Sequence, residues 1–199
     1  MAHRLILASG SEIRQKMLGD AGVEFKVVVK SIDEDAIRRA QLATGSPPQY
    51  IAETLAVEKA MKVSRIEKEA LVIGCDQILA FDQQIFAKPT SVEHAHQQLC
   101  QLRGKTHQLF SAAAVCQNGV VLWRYTGQVS LEMRDFSDAF LDGYLDRNWN
   151  SIRHSVGGYK LEEEGIRLFL DVKGDYFTVL GMPLLPLLAY LVESGELQQ

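Results

Sequence analysis

Leu71-Val72-Ile73-Gly74-Cys75-Asp76-Gln77-Ile78-Leu79-Ala80-Phe81 is apolar or small at every position except Asp76 and Gln77. A short apolar run of this kind predicts a buried strand. An ionised carboxylate in such a strand must be paired, metal-bound or turned toward a cleft, because burying it alone costs several kcal/mol. Asp76 is therefore the leading catalytic candidate. The alternative is a surface-facing position where two short strands meet.

On the N-terminal side, Leu5, Ile6 and Leu7 predict a short buried strand that stops at Ala8-Ser9-Gly10-Ser11, where backbone can approach a ligand closely. A helix is expected next, with Ile13, Met17, Leu18 and Ala21 at spacings of three and four and Gly22 as its stop. Phe25 to Val29 reads as a second strand. This arrangement places the hydroxyls of Ser9 and Ser11 at a helix N-terminus, which suits an anion but also describes an ordinary strand-to-helix turn. The acidic cluster Asp33, Glu34 and Asp35 is expected in the connection before the next helix. That helix should start with Ser46 as N-cap, Pro47 in first position and Gln49 as capping-box partner, and run to about Arg65. Lys59 shares a stripe with Ala52, Ala56 and Val63, so its charged head either enters a site or snorkels from the edge of a core-facing face.

On the C-terminal side, Asp82-Gln83-Gln84 predicts a turn back to Ile85 and Phe86, after which Ala87-Lys88-Pro89 leaves the sheet. A helix should open at Thr90, with Glu93 completing a capping box, and end at Gly104. His94 and His96 point away from each other on it and are expected in solvent. His107 reads as a structural strand histidine. Asn118-Gly119 between apolar runs predicts a hairpin pairing Leu109 to Cys116 with Val120 to Val129, so the sheet is at least partly antiparallel. A helix from about Ser137 to Arg147 buries Phe140, Leu141, Tyr144 and Leu145. A loop from His154 to Tyr159, a strand near Ile166 to Val172, a turn at Gly174-Asp175 and a leucine-rich helix after Gly181-Met182-Pro183 complete the chain.

With 199 residues, 47% hydrophobic and 23% charged, the composition is that of a globular chain and excludes disordered, collagenous and coiled-coil classes. The length fits one domain spanning 1–199. Lys and Arg number 21 against 25 Asp and Glu, so the net charge of -4 disfavours a general nucleic-acid surface but leaves room for a local basic pocket. Cys75, Cys100 and Cys116 are odd in number and widely spaced, which gives neither a disulfide framework nor a paired-cysteine zinc site and fits a reducing cytoplasm. Met1 to Gly10 lacks the pattern of a signal peptide, and Met182 to Val192, interrupted by prolines, is too short to span a bilayer.

Cations and hydroxyls at element boundaries (Ser9, Ser11, Arg14, Lys59, Lys88), set among the carboxylates Glu34 and Asp76, are what phosphate-ester or phosphoanhydride chemistry needs: donors for the phosphate charge, acids for a metal or a water. No Gly-x-x-x-x-Gly-Lys loop supports a P-loop ATPase, and no Gly-x-Ser-x-Gly elbow supports a serine hydrolase.

Leu7-Ala8-Ser9-Gly10-Ser11 with Arg14, Asp33-Glu34, Glu58-Lys59-Ala60, Ile73-Gly74-Cys75-Asp76, Lys88-Pro89, Gly104-Lys105-Thr106-His107, Gly157-Gly158-Tyr159, Gly174-Asp175-Tyr176 and Gly181-Met182-Pro183 resemble, in order, the successive signatures of the Maf family. The resemblance covers nearly the whole chain. It implies an α/β fold of the Maf and ITPase-like kind, a mixed, partly antiparallel sheet with flanking helices in two lobes around a central cleft, and a homodimer. It also implies a nucleoside triphosphate pyrophosphatase, from a family named for inhibiting septum formation, that splits the α–β phosphoanhydride bond to a nucleoside monophosphate and pyrophosphate with a divalent cation, Mg²⁺ or Mn²⁺. By the same resemblance Asp76 is the proton acceptor that activates water, Ser9, Ser11, Arg14, Lys59 and Lys88 bind the triphosphate, and Glu34 with Asp76 serves the metal. One departure is that Ser11-Glu12-Ile13-Arg14 keeps only the second of the family's two usual basic positions.

Gln77 and Glu162 match the residues of the family's 7-methyl-GTP branch, where the dTTP and UTP branch carries Thr and Gln. A glutamate can accept from the N1 and N2 protons of guanine. Ile13 replaces that branch's tryptophan and removes an aromatic face that could stack on a cationic base. The expected substrate is 7-methyl-GTP or another modified nucleotide. The rival reading is a nucleotide-binding regulator of cell division with weak or no catalysis; a sugar-phosphate phosphatase ranks last, since no phospho-aspartate motif is present.

Overall fold

The computed structural model describes residues 4–198; Met1 to His3, which begin the segment weighed as a signal peptide, and Gln199 lie outside it. The apolar run around Asp76 becomes one continuous strand near the centre of the sheet, β3 at Ala70–Phe81. It is not two short strands meeting at a surface, since both faces are covered: ten of its twelve residues, Asp76 among them, are buried, and only Gln77 and Phe81 are half-buried. Beside it lie β1 at Arg4–Leu7, β2 at Lys26–Val27, β4 at Gln84–Phe86, β5 at Thr106–Gln117, β6 at Val120–Met133 and β7 at Phe169–Lys173. The sheet order is β2-β1-β3-β5-β6-β7, with β4 also on β3. Pairings within β2-β1-β3 are parallel and the others antiparallel, so the sheet is mixed, as expected.

Two turns set the antiparallel part. Asp82 and Gln83 both adopt positive φ between β3 and β4, and Asn118 and Gly119 do the same between β5 and β6. Two consecutive left-handed residues match the twist of the strands they join, which is why Asn-Gly signals a hairpin.

The helices are α1 at Glu12–Asp20, α2 at Glu34–Ala43, α3 at Pro48–Ser64, α4 at Val92–Leu102, α5 at Asp138–Ile152, α6 at Tyr176–Val179 and α7 at Leu184–Glu193. Several boundaries differ from expectation. Glu34 is not in a connection but opens α2, whose N-cap Asp33 accepts a hydrogen bond from Ala36 N at 2.9 Å. It buries no residue completely and lies on the outside of the fold. Ser46 does not cap α3; its hydroxyl pairs with that of Thr44 at 3.1 Å, and extended Pro47 is the N-cap. A residue before proline is driven out of the helical region, so helix entry waits for Pro48. Ser91 rather than Thr90 caps α4, α5 runs past Arg147, and β2 is shorter than Phe25 to Val29. Residues Glu164–Leu168 form a 3-10 turn ahead of β7, and α6 was not foreseen. His94 and His96 are half-buried with partners, His94 Nδ1 at 3.2 Å from the Thr90 hydroxyl and His96 Nε2 at 3.4 Å from Asp142.

Alternation along β3 divides the core. Val72, Gly74, Asp76, Ile78 and Ala80 face α3, whose Ala52, Ala56 and Ala60 pack on them. On the other face, Leu71, Ile73 and Cys75 join a cluster with Met17 and Leu18 of α1 and Leu187 and Leu191 of α7. Leu79 joins a separate cluster with Leu99 of α4 and Leu141, Tyr144 and Leu145 of α5. Gln77 lies at the seam between these two clusters on β3. No helix among the described residues is long and apolar enough to cross a membrane.

Candidate functional site

The site begins at a gap in the sheet edge. β1 pairs with β3 only as far as Leu7 opposite Ile73, with Ala8 N donating to Ile73 O at 2.7 Å, and β4 begins pairing only at Leu79. From Gly74 to Ile78, β3 therefore has no strand on that side. Such crevices beyond the carboxyl ends of parallel strands are where open α/β sheets bind ligands. The Ser9–Ser11 loop and α1 border the gap on one side, and the segment that carries Lys88 out of β4 borders it on the other.

Arg14 closes the first border. Its Nε donates to Gly181 O at 2.8 Å, and one Nη donates to Ser9 Oγ at 3.2 Å and to Cys75 O at 3.0 Å. One guanidinium thus ties α1, the Ser9 loop, the exposed edge of β3 and the chain entering α7, a use for which its planar fork of donors is suited. Ser9 is buried and its hydroxyl also accepts from Ser11 N at 3.3 Å. Ser11 precedes α1 with no side-chain cap bond, leaving its hydroxyl beside the free N–H groups of the helix.

Lys59 occupies the centre. Its Nζ lies 2.6 Å from Asp76 Oδ1 and 2.9 Å from Glu34 Oε1, so it joins β3, α3 and α2. The height of Lys59 over the sheet is set by Gly74, where a Cβ would stand 2.2 Å from Ala56 O and 2.7 Å from Ala60 N. Only a missing side chain lets α3 lie this close. The second oxygen of Asp76, Oδ2, is buried and has no hydrogen-bond partner. A buried carboxylate oxygen without a donor is costly and is the group in this cluster with unused capacity.

Charge couples the cluster. Partial burial pushes the Glu34 carboxyl upward, but the hydrogen bond and charge of Lys59, helped by Arg38 and Lys88, outweigh it and hold it below the ordinary range. Lys88 reaches solvent at the rim. Desolvation by surrounding protein, then repulsion from Arg14 and Lys59, draws its ammonium below the usual lysine range, while Glu34 and Asp76 act in the opposite sense. Lys88 is held near the cluster by Gln98 of α4, whose Nε2 donates to Ala87 O at 2.9 Å.

The structure thus brings together Ser9, Arg14, Glu34, Lys59, Asp76 and Lys88. Among the specificity candidates, Gln77 lies at the seam and Ile13 is half-buried on α1. Glu162 sits in an exposed turn away from these hydrogen bonds, its charge felt by Tyr176 and Tyr144. Sequence reasoning missed Gln98, Ser111 and Thr178. Ser111 carried the same signal as Asp76, a polar residue inside an apolar strand.

No group of three or more His, Cys, Asp or Glu suited to a metal exists among the described residues. Two carboxylates, Glu34 and Asp76, remain available, and the unpartnered Asp76 Oδ2 gives the pair a vacant donor. That set fits a Mg²⁺-type ion, which takes one or two protein carboxylates and completes its shell with water and substrate phosphate. Cations for phosphate, a buried carboxylate oxygen for a water or metal, and an open strand edge form a site able to hydrolyse a phosphoanhydride.

The family model described as Maf-like protein matches residues 4–194. A nucleoside triphosphate pyrophosphatase of Ruegeria sp. (strain TM1040) is 52% identical over 199 residues, covering 100% of both chains. Another, from Paramagnetospirillum magneticum, is 47% identical over 192 residues, 96% of this chain and 99% of its own. A 7-methyl-GTP pyrophosphatase of Brucella abortus is 43% identical over 191 residues, 96% of each chain.

Proposed function

The chain belongs to the Maf family, and we propose on that premise that it is a nucleoside triphosphate pyrophosphatase that cleaves between the α and β phosphates, releasing a nucleoside monophosphate and pyrophosphate. The observation that carries the reading of the site is the Asp76 carboxylate, with Oδ1 held by Lys59 and Oδ2 buried without a partner.

In this reading Asp76 accepts the proton of the attacking water. Ser9, Ser11, Arg14, Lys59 and Lys88 bind the triphosphate oxygens, whose negative charge replaces part of the carboxylate environment that these cations have in the free protein. Arg14 keeps the phosphate end of the cleft in shape, because its hydrogen bonds to Gly181 and Cys75 tie α1 to the chain entering α7 and to the edge of β3. Glu34 and Asp76 would hold the divalent cation, Mg²⁺ or Mn²⁺. When bound it neutralises phosphate charge and acts as a Lewis acid.

Base preference is proposed to favour a purine, 7-methyl-GTP in particular, through Gln77 and Glu162, with Ile13 supplying an aliphatic rather than an aromatic surface. The enzyme is proposed to be cytoplasmic and to act as a homodimer on free nucleotides rather than nucleic acid. The test is a product-resolved assay of the purified protein with Mg²⁺ or Mn²⁺ against a nucleotide panel including 7-methyl-GTP. Monophosphate with pyrophosphate, abolished by EDTA, is the expected result; orthophosphate with a nucleoside diphosphate sinks the proposal.

A further inference from the structure

Gln77 lies at the seam of the two clusters, opposite Ser111 of β5 in the strand register. Its Nε2 stands 2.9 Å from Ser111 Oγ, 2.9 Å from Val179 O and 3.2 Å from Thr178 O. Ser111 is fully buried and its hydroxyl donates to Thr178 O at 2.6 Å, which leaves its lone pairs to accept from Gln77. These contacts decide which way the amide points. The reverse orientation would set the Gln77 carbonyl oxygen against the carbonyl oxygens of Thr178 and Val179.

The clamp is assembled from the backbone up. Ser111 pairs with Gly127 of β6, and a Cβ at Gly127 would stand 2.7 Å from Thr178 Oγ1 and 2.9 Å from Thr178 Cγ2. The missing side chain lets α6 settle on the sheet. Asp175 then caps α6, its Oδ2 accepting from Thr178 N at 2.7 Å and from Thr178 Oγ1 at 2.8 Å. The last carbonyls of α6 are thereby delivered to Gln77. With both amide protons directed into the protein, the carbonyl oxygen is the group that Gln77 has left to offer a ligand.

We propose that Ser111 is a positioning residue for base recognition: with the α6 carbonyls it fixes Gln77 as a hydrogen-bond acceptor, so the site selects nucleotides whose base presents an N–H donor there. This rests on the reading of the cleft as a nucleoside triphosphate site. A free glutamine can turn to suit either a donor or an acceptor, whereas a clamped one discriminates, because a base lacking the donor leaves a desolvated acceptor unpaired.

The test compares kcat/KM for wild type, Ser111→Ala and Ser111→Thr on nucleoside triphosphate pairs differing by one base donor: GTP with ITP, ATP with purine-riboside triphosphate, and UTP with N3-methyl-UTP. Wild type favours the donor-bearing member of at least one pair by about tenfold or more. In Ser111→Ala that ratio falls toward one through the donor-bearing substrate's KM, with kcat little changed, and Ser111→Thr restores it. An unchanged ratio in Ser111→Ala overturns the proposal, as does a wild type indifferent to donors in every pair. A second measurement needs no variant: the Gln77 side-chain amide protons of ¹⁵N-labelled wild type should exchange slowly both free and with GTP present, and fast exchange in the free protein overturns the clamp. A wild type that hydrolyses none of these nucleotides refutes the proposed function instead, while the amide exchange still judges the clamp.

Discussion

Lys59 and Asp76 meet with Nζ 2.6 Å from Oδ1, although they come from different elements and neither forms a recognisable motif with the other. The contact leaves Oδ2 as the unengaged oxygen. Removing the charge while keeping the shape tests what that oxygen does. Asp76→Asn should lower kcat by about 10²–10⁴-fold, the usual span for a general base, with the circular dichroism spectrum unchanged. Turnover within a factor of two of wild type would remove Asp76 from the chemistry.

Lys88 gives a signature in pH. Because its ammonium is drawn below the ordinary lysine range by desolvation and by neighbouring Arg14 and Lys59, it loses its charge at lower pH than a free lysine does. The KM for nucleotide should therefore rise as pH climbs through the alkaline range. Lys88→Arg, which stays charged, should flatten that rise. Parallel KM profiles in the two proteins would contradict the assignment.

Gly74→Ala forces a Cβ to within 2.2 Å of Ala56 O, and backbone cannot yield as a flexible side chain does. We expect a loss of about 3 kcal/mol or more, beyond the common range for overpacking, read as a lower urea midpoint. Since α3 carries Lys59, the folded fraction should also lose activity.

His107 couples stability to mild acid. Burial pushes its imidazole down from 6.5 to about 4, while Nε2 meets the Tyr159 hydroxyl at 2.7 Å and Nδ1 has no partner. Between those values the unfolded chain binds the proton and the folded chain does not, so stability is complete above about pH 6.5 and falls as pH drops toward 4. The loss amounts to roughly 3 kcal/mol. His107→Gln should show a shallower decline over the same window in urea titrations; identical slopes would assign the decline to carboxylates.

The sequence by itself determined a good deal about this protein. The apolar frame around Asp76 made a buried strand and a functional carboxylate readable together, because an unpaired charge is intolerable in such a run. Asn118-Gly119 announced the hairpin through the positive φ that both residues accept. Lys59 was legible from its place on a small-residue stripe. The tertiary structure alone decided the rest. Glu34 became a partner of Lys59 because α2, which it opens, is placed so that its first turn reaches the end of the Lys59 side chain on α3, a contact between separate helices that their own patterns do not specify. Arg14 became a clip between Ser9, Cys75 and Gly181, positions up to 167 residues apart in sequence. Ser111 stood out locally as a polar residue in an apolar strand, but its partners Gln77 and Thr178 were set only where α6 settles over Gly127, since hydrogen-bond partners distant along the chain are chosen by packing.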